Sequence, residues 1–89
     1  MKSILNNLNQ LLEVKSRQLT AAEKQLAKSV FGAHLQLDAI RIVAHRGVIK
    51  NYAISPNGNV YFNPQNWCED FSKRSLQQQS WLIHELILM

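Results

Sequence analysis

The segment Ser-Pro-Asn-Gly-Asn at residues 55–59 separates two short runs of strand-forming residues, and it constrains the fold more than any other local pattern. The flanking runs, residues 51–54 and 60–62, are rich in aromatic and β-branched side chains,. An Asn-Gly pair supplies the positive φ angles that a tight hairpin turn requires. The sequence therefore predicts a β-hairpin at about residues 52–62.

Two helices are predicted before this hairpin. In the first, at about residues 2–17 within an N-terminal segment of residues 1–18, apolar side chains recur at three- and four-residue spacing, as in Ile4, Leu5, Leu8, Leu11 and Leu12,. The second begins at Thr20, which forms a capping-box pattern with Glu23,. Ala22, Leu26 and Val30 continue this helix at four-residue spacing, and Gly32 is suited to end it,.

A strand and a final helix complete the predicted order of elements. Residues 37–45 become β-branched and alternating, which favours a strand,. Ser75 and Gln78 form a second capping-box pattern, so we expect a helix at about residues 75–88,. The predicted fold is α+β: two N-terminal helices, a small antiparallel or mixed sheet and a C-terminal helix, in a single domain of residues 1–89.

The two faces of the final helix differ in character. A projection at 100° per residue places five apolar side chains on a broad face that is expected to pack on the domain: Leu76, Leu82, Ile83, Leu86 and Ile87,. The opposite face carries Trp81, His84, Glu85 and Leu88. The adjacent His-Glu pair is therefore predicted to lie outside the main apolar stripe.

Composition excludes several classes of protein. The net charge is +4, but the ten Lys and Arg residues are scattered, so no nucleic-acid surface is indicated,. Cys68 is the single cysteine, which excludes an intrachain disulfide and an all-cysteine metal site,. The N-terminus lacks the continuous apolar core of a signal peptide, and no segment has the ~20 apolar residues of a membrane span,. We expect a cytoplasmic protein with no membrane span, and export by a dedicated secretion system stays open.

His84 and Glu85 resemble the start of a His-Glu-x-x-His zinc-protease helix, in which two histidines bind Zn²⁺ and the glutamate is the general base,. Leu88 occupies the position of the second histidine. Catalytic zinc needs three protein ligands and an open position. His34 and His45 are interpreted as surface or hydrogen-bonded histidines, and Cys68 as a packed small residue rather than a nucleophile. We therefore expect no bound cofactor, with zinc left open for a site that another chain completes.

Several segments together carry a resemblance to a known family: residues 19–23, 30–32, 53–62, 70–72 and 82–86. In this order they resemble the first part of a bacterial zincin-like metallopeptidase domain of the Vgr-related type, associated with secretion-system spike proteins. The resemblance implies that residues 19–89 form a zincin-like half-domain. It also implies that His84 is a vestigial zinc ligand and Glu85 a vestigial general base, because Leu88 replaces the second histidine.

The leading hypothesis is a degenerate or truncated zincin-like domain without peptidase activity, which acts through protein-protein contacts. The apolar C-terminus suggests an interface for a homo-oligomer or a protein partner, made of Trp81, Leu86, Ile87, Leu88 and Met89,. One alternative is a regulatory or immunity-type binding module for a secreted effector or a full-length relative. The other is a zinc-dependent peptidase whose site is completed by another chain.

Overall fold

The computed structural model describes residues 12–32 and 36–88. Its elements, in chain order, are strand β1 (Glu13–Gln18), helix α1 (Ala21–Phe31), strands β2 (Arg41–His45), β3 (Ala53–Ile54) and β4 (Val60–Phe62), and helix α2 (Leu76–Ile87). Short 3-10 turns lie at Leu37–Ala39 and Phe71–Lys73. None of the helices in these described ranges is long and apolar enough to cross a membrane.

The four strands form one mixed sheet in the order β1-β2-β4-β3. β1 runs antiparallel to β2, β2 runs parallel to β4, and β3 and β4 form the antiparallel hairpin. In the hairpin connection Gly58 has a φ of 86°, which a glycine adopts without steric cost,. The mixed sheet, the hairpin and the C-terminal helix confirm the predicted α+β fold.

The prediction of a helix at residues 2–17 is wrong for its last part, because Glu13–Gln18 form strand β1. Residues 1–11 lie outside the described residues. The strand is stabilised by pairing with β2, where Ser16 lies opposite Val43 and Arg17 opposite Ile42. A partner strand more than twenty residues away leaves no periodic signal in the local sequence. The predicted helix was therefore continued past the leucine-rich segment into residues that form a strand.

The predicted helix ends are confirmed for α1. The Thr20 hydroxyl accepts the Glu23 amide at 3.0 Å, and the Glu23 carboxylate accepts the Thr20 amide at 2.9 Å. Gly32, with a φ of 74°, donates its amide to the Lys28 carbonyl at the other end. In α2 the Ser75 hydroxyl accepts the Gln78 amide at 3.3 Å.

The hydrophobic core lies between one face of the sheet and the two helices. Alternate residues of β2 and β4 point into it, as the two-residue period of a strand requires. Its largest fully buried apolar side chains are Phe62, Phe71, Ile42, Leu82, Leu86 and Val60. On the other face of the sheet a small cluster of Val43, Val48 and Tyr61 is buried separately.

The orientation of α2 differs from the helical projection. Leu82, Glu85 and Leu86 are its buried residues, whereas Leu76 is 80% exposed and Ile87 is 58% exposed. The helix is therefore rotated so that Glu85 faces the domain. Burial of Glu85 is tolerated because the Ser55 hydroxyl donates to its carboxylate at 3.0 Å, a contact between distant residues that the projection does not contain,.

Candidate functional site

The most highly connected polar group in the described structure is the carboxylate of Glu23, which is fully buried. It accepts two hydrogen bonds from the Arg17 guanidinium, at 2.6 Å and 2.9 Å. It also accepts the backbone amides of Thr20, at 2.9 Å, and Phe71, at 2.7 Å. Four donors compensate the loss of hydration, so this carboxylate joins β1, α1 and the Phe71–Lys73 turn.

The remaining donors of Arg17 extend this centre. Its Nε and Nη2 both donate to the Cys68 carbonyl, at 3.0 Å and 2.9 Å. The guanidinium carbon lies 5.4 Å from the centre of the Trp67 ring, within cation–π range,. The pairing of Arg17 with Glu23 was not predicted, because the local sequence pattern indicates only the capping role of Glu23.

Two carboxyl groups near the helices have lowered pKa values. The hydrogen bond from Lys24, at 2.6 Å, holds the pKa of the exposed Asp38 carboxyl below its ordinary value. Burial acts to raise the pKa of Asp70, but hydrogen bonds from Ser72 and Thr20 outweigh this and lower it. Both carboxylates are therefore favoured in their charged form in the folded protein.

His84 and Glu85 do not converge on a common point. The Glu85 carboxylate accepts from Ser55, and the Ser55 hydroxyl also lies 3.3 Å from the Glu85 carbonyl. His84 is exposed and lines a groove beside Leu26 and Val30. Within residues 12–32 and 36–88, no group of three His, Cys, Asp or Glu side chains is arranged to hold a metal ion. His34 lies outside the described residues.

The residues of the predicted C-terminal interface are divided between the core and the surface. Leu86 is buried, and Trp81 is half-buried with its ring edge-to-face against Phe62 at 4.9 Å between centroids. Ile87 and Leu88 are exposed. Met89 lies outside the described residues. Among the described members of the set, Ile87 and Leu88 are therefore the apolar side chains most available to a partner.

An apolar groove of about 320 Å³ runs between the two helices. Its apolar lining comes from both elements and is hereafter the α1–α2 face: Leu26, Val30, Leu76, Ile83 and Ile87. Val30 is 55% exposed, and Leu76 and Ile87 are more exposed still. The spacing of Leu26 and Val30 predicted a helix but did not predict that these side chains form a surface. The same spacing, combined with the Leu76-Ile83-Ile87 stripe, is the signal that would have identified this face.

Comparisons with known proteins identify bacterial relatives. The chain is 37% identical over 76 residues to the type VI secretion system spike protein VgrG2b of Pseudomonas aeruginosa, a match that covers 79% of this chain and 7% of that protein. It is also similar to the solved effector domain of Pseudomonas aeruginosa VgrG2b, with a TM-score of 0.73 and 34% identity. This second match covers 82% of the chain and 43% of the solved domain. No protein-family model matches the chain.

These findings correct the zincin-like metallopeptidase interpretation. The chain is similar to a spike protein and to the effector domain of that protein, and no family model supports assignment to a peptidase family. The description of residues 19–89 as a zincin-like half-domain is therefore not retained. The chain spans less than half of the solved effector domain that it resembles.

Proposed function

We propose that this chain is a protein-binding module related to the effector domains of type VI spike proteins, and that it binds its partner through the α1–α2 face. The observation that carries the proposal is the exposure of Val30, Leu76 and Ile87 side by side along one groove. Contiguous apolar surface of this kind is characteristic of protein interfaces, whereas isolated exposed apolar residues are ordinary.

The proposed occupant of this face is the section of the effector-domain fold that the chain does not match. The match covers 43% of the solved domain, and we infer that part of the uncovered remainder packs against the counterpart of this fold. An apolar groove between two helices is a suitable surface for such packing, since it buries side chains from both helices at once.

The polar lining of the groove is compatible with a closely packed partner. Gln79, Ser80 and His84 provide its polar lining, and none of its lining residues is a lysine, an arginine or a carboxylate. A partner therefore has little charge to desolvate on docking. We expect an apolar segment flanked by neutral polar residues on the partner side.

The proposal is tested by mixing this chain with the purified section of the Pseudomonas effector domain that the match leaves uncovered. Isothermal titration calorimetry is expected to show saturable one-to-one binding. The double substitution V30S/L76S is expected to weaken it at least tenfold, because two apolar anchors are lost. Ile49→Ser is the matched control: Ile49 is 71% exposed but is not part of the α1–α2 face, so binding is expected to be unchanged.

Other occupants of the face give different results in the same experiment. Binding to the intact effector domain, with none to the uncovered section, would favour a regulatory or immunity-type module instead. A dimer of the chain alone, measured by light scattering and abolished by V30S/L76S, would favour a homo-oligomer. Binding that V30S/L76S and Ile49→Ser weaken equally would contradict use of the α1–α2 face.

The relative is a spike protein of a type VI secretion system. We therefore propose that a type VI secretion system exports the chain, in place of the default expectation of a cytoplasmic protein. Immunoblots of the culture medium from host cells with and without a working secretion system test this, and equal amounts in both media would contradict it.

A further inference from the structure

A second cleft, of about 430 Å³, opens at the N-terminal half of α2 on a different set of residues from the α1–α2 face. Its lining consists of four primary amides and one indole: Asn51, Asn66, Gln77, Gln78 and Trp81. The volume falls within the range of about 300–1,000 Å³ that is usual for small-ligand pockets. None of the lining residues carries a charge, so the chemistry of the cleft is that of neutral hydrogen bonding next to an aromatic ring.

Two hydrogen bonds between Asn51 and Asn66 organise one wall of the cleft. The Asn51 backbone amide donates to the Asn66 side-chain oxygen at 2.6 Å, and the Asn66 side-chain nitrogen donates to the Asn51 side-chain oxygen at 3.1 Å. Asn51 has a φ of 70°, a left-handed conformation in which asparagine is several-fold enriched,. The two-bond bridge holds both amides in place, so a ligand that binds them has little ordering cost to overcome.

The opposite wall retains unused hydrogen-bonding capacity. Gln77 and Gln78 lie in the first turn of α2, and no hydrogen bond of their side-chain amides is formed within the described part of the chain. Trp81 lies one turn further along the same helix and is half-buried against Phe62, at 4.9 Å between ring centroids. The packing fixes the indole, while its exposed part borders the cleft.

We propose that this cleft binds a neutral saccharide. A primary amide has two donors and an acceptor, which matches the paired donor and acceptor character of neighbouring sugar hydroxyls. The apolar C–H face of a pyranose ring suits an indole, which combines a large apolar surface with a polar tip. The absence of charged lining residues disfavours anionic and cationic ligands. The cleft is open to solvent, so we expect weak, millimolar binding.

The proposal is tested by two-dimensional ¹H–¹⁵N NMR of the full chain titrated with N,N′-diacetylchitobiose and, separately, with cellobiose. The two indole N–H signals provide an internal control. The Trp67 indole is buried and donates to the Ile42 carbonyl at 3.0 Å, so its signal is expected to stay in place. The Trp81 indole and the side-chain amides of the cleft are expected to shift in a saturable manner with at least one of the two sugars.

Substitutions then distinguish the cleft from nonspecific contact. Q77A/Q78A removes one exposed and one half-buried amide of the cleft, and the dissociation constant is expected to rise by about fivefold for each lost hydrogen bond. Gln65→Ala removes an exposed amide outside the cleft and is expected to leave the titration unchanged. The proposal is overturned if neither sugar shifts the Trp81 indole signal at a sugar concentration 50-fold above a millimolar dissociation constant. It is equally overturned if Q77A/Q78A has no effect, or if a neutral alanine tripeptide binds as well as either sugar.

Discussion

Substitution of Arg17 by methionine is expected to destabilise the fold strongly. The substitution keeps an apolar stem of similar length and removes the guanidinium. Glu23, which is fully buried, then loses its countercharge and two of its four donors, while the Thr20 and Phe71 amides remain. The Cys68 carbonyl loses both of its Arg17 donors as well.

The expected magnitude follows from the burial of the pair. The Arg17 side chain is 14% exposed and that of Glu23 is fully buried, so solvent screens the interaction only weakly,. Removal of one partner of a buried ion pair costs about 3–5 kcal/mol. Two charge-assisted hydrogen bonds at about 1.5–3 kcal/mol each give a similar total. A domain of this length has a free energy of unfolding of about 4–13 kcal/mol, so R17M is expected to lose from about a quarter to all of this stability.

Urea denaturation monitored by tryptophan fluorescence measures this loss. The series consists of R17M, E23Q, the double variant R17M/E23Q, and R46M as the matched control at an exposed arginine. R46M is expected to stay within about 0.5 kcal/mol of the parent. Because Arg17 and Glu23 share one interaction, the double variant is expected to lose much less than the sum of the single losses. A loss below 1 kcal/mol for R17M, or strict additivity in the cycle, would refute the assigned role of the pair.

Three further expectations follow from other contacts. Ser55→Ala leaves the buried Glu85 carboxylate without its hydroxyl donor, so the free energy of unfolding is expected to fall by about 1–3 kcal/mol,. In urea denaturation the double variant S55A/E85L should recover most of this loss. No recovery would count against Ser55 as the donor that stabilises buried Glu85. The lowered pKa of Asp70 contributes stability above the pKa of the unfolded chain, and this is lost as the pH falls through the folded pKa,. The difference in stability between the parent and D70N is therefore expected to be larger at pH 7 than at pH 3, and a difference independent of pH would contradict this. Phe71→Ala opens a cavity at a fully buried ring beside Phe62. The free energy of unfolding, measured by calorimetric melting, should fall by about 3–5 kcal/mol. A fall below 1 kcal/mol would contradict tight packing around this ring.

The elements that the sequence predicted well are those determined by neighbouring residues. The hairpin depends on the short connection around Gly58, and the start of α1 depends on Thr20 and Glu23, which are three residues apart. β1 was missed because its stability comes from pairing with β2 and from Arg17, which contacts Cys68 across 51 positions of sequence. The rotation of α2 was missed for the same reason, since Ser55 and Glu85 are 30 positions apart.

The two buried glutamates together explain why the α1–α2 face is exposed. Glu23 holds the start of α1 to β1 and to the Phe71–Lys73 turn, and Glu85 holds α2 to the segment before the β4 strand through Ser55. Each carboxylate requires polar partners, so each fixes the rotation of its helix about the helix axis more strictly than apolar packing alone. With Glu85 turned inward, the stripe that contains Leu76 and Ile87 is turned outward and lies beside Val30. The family resemblance implied that Glu85 is a vestigial general base; in the structure its carboxylate is buried and accepts the Ser55 hydroxyl. The variant S55A/E85L is therefore expected to keep the fold while altering the orientation of the α1–α2 face.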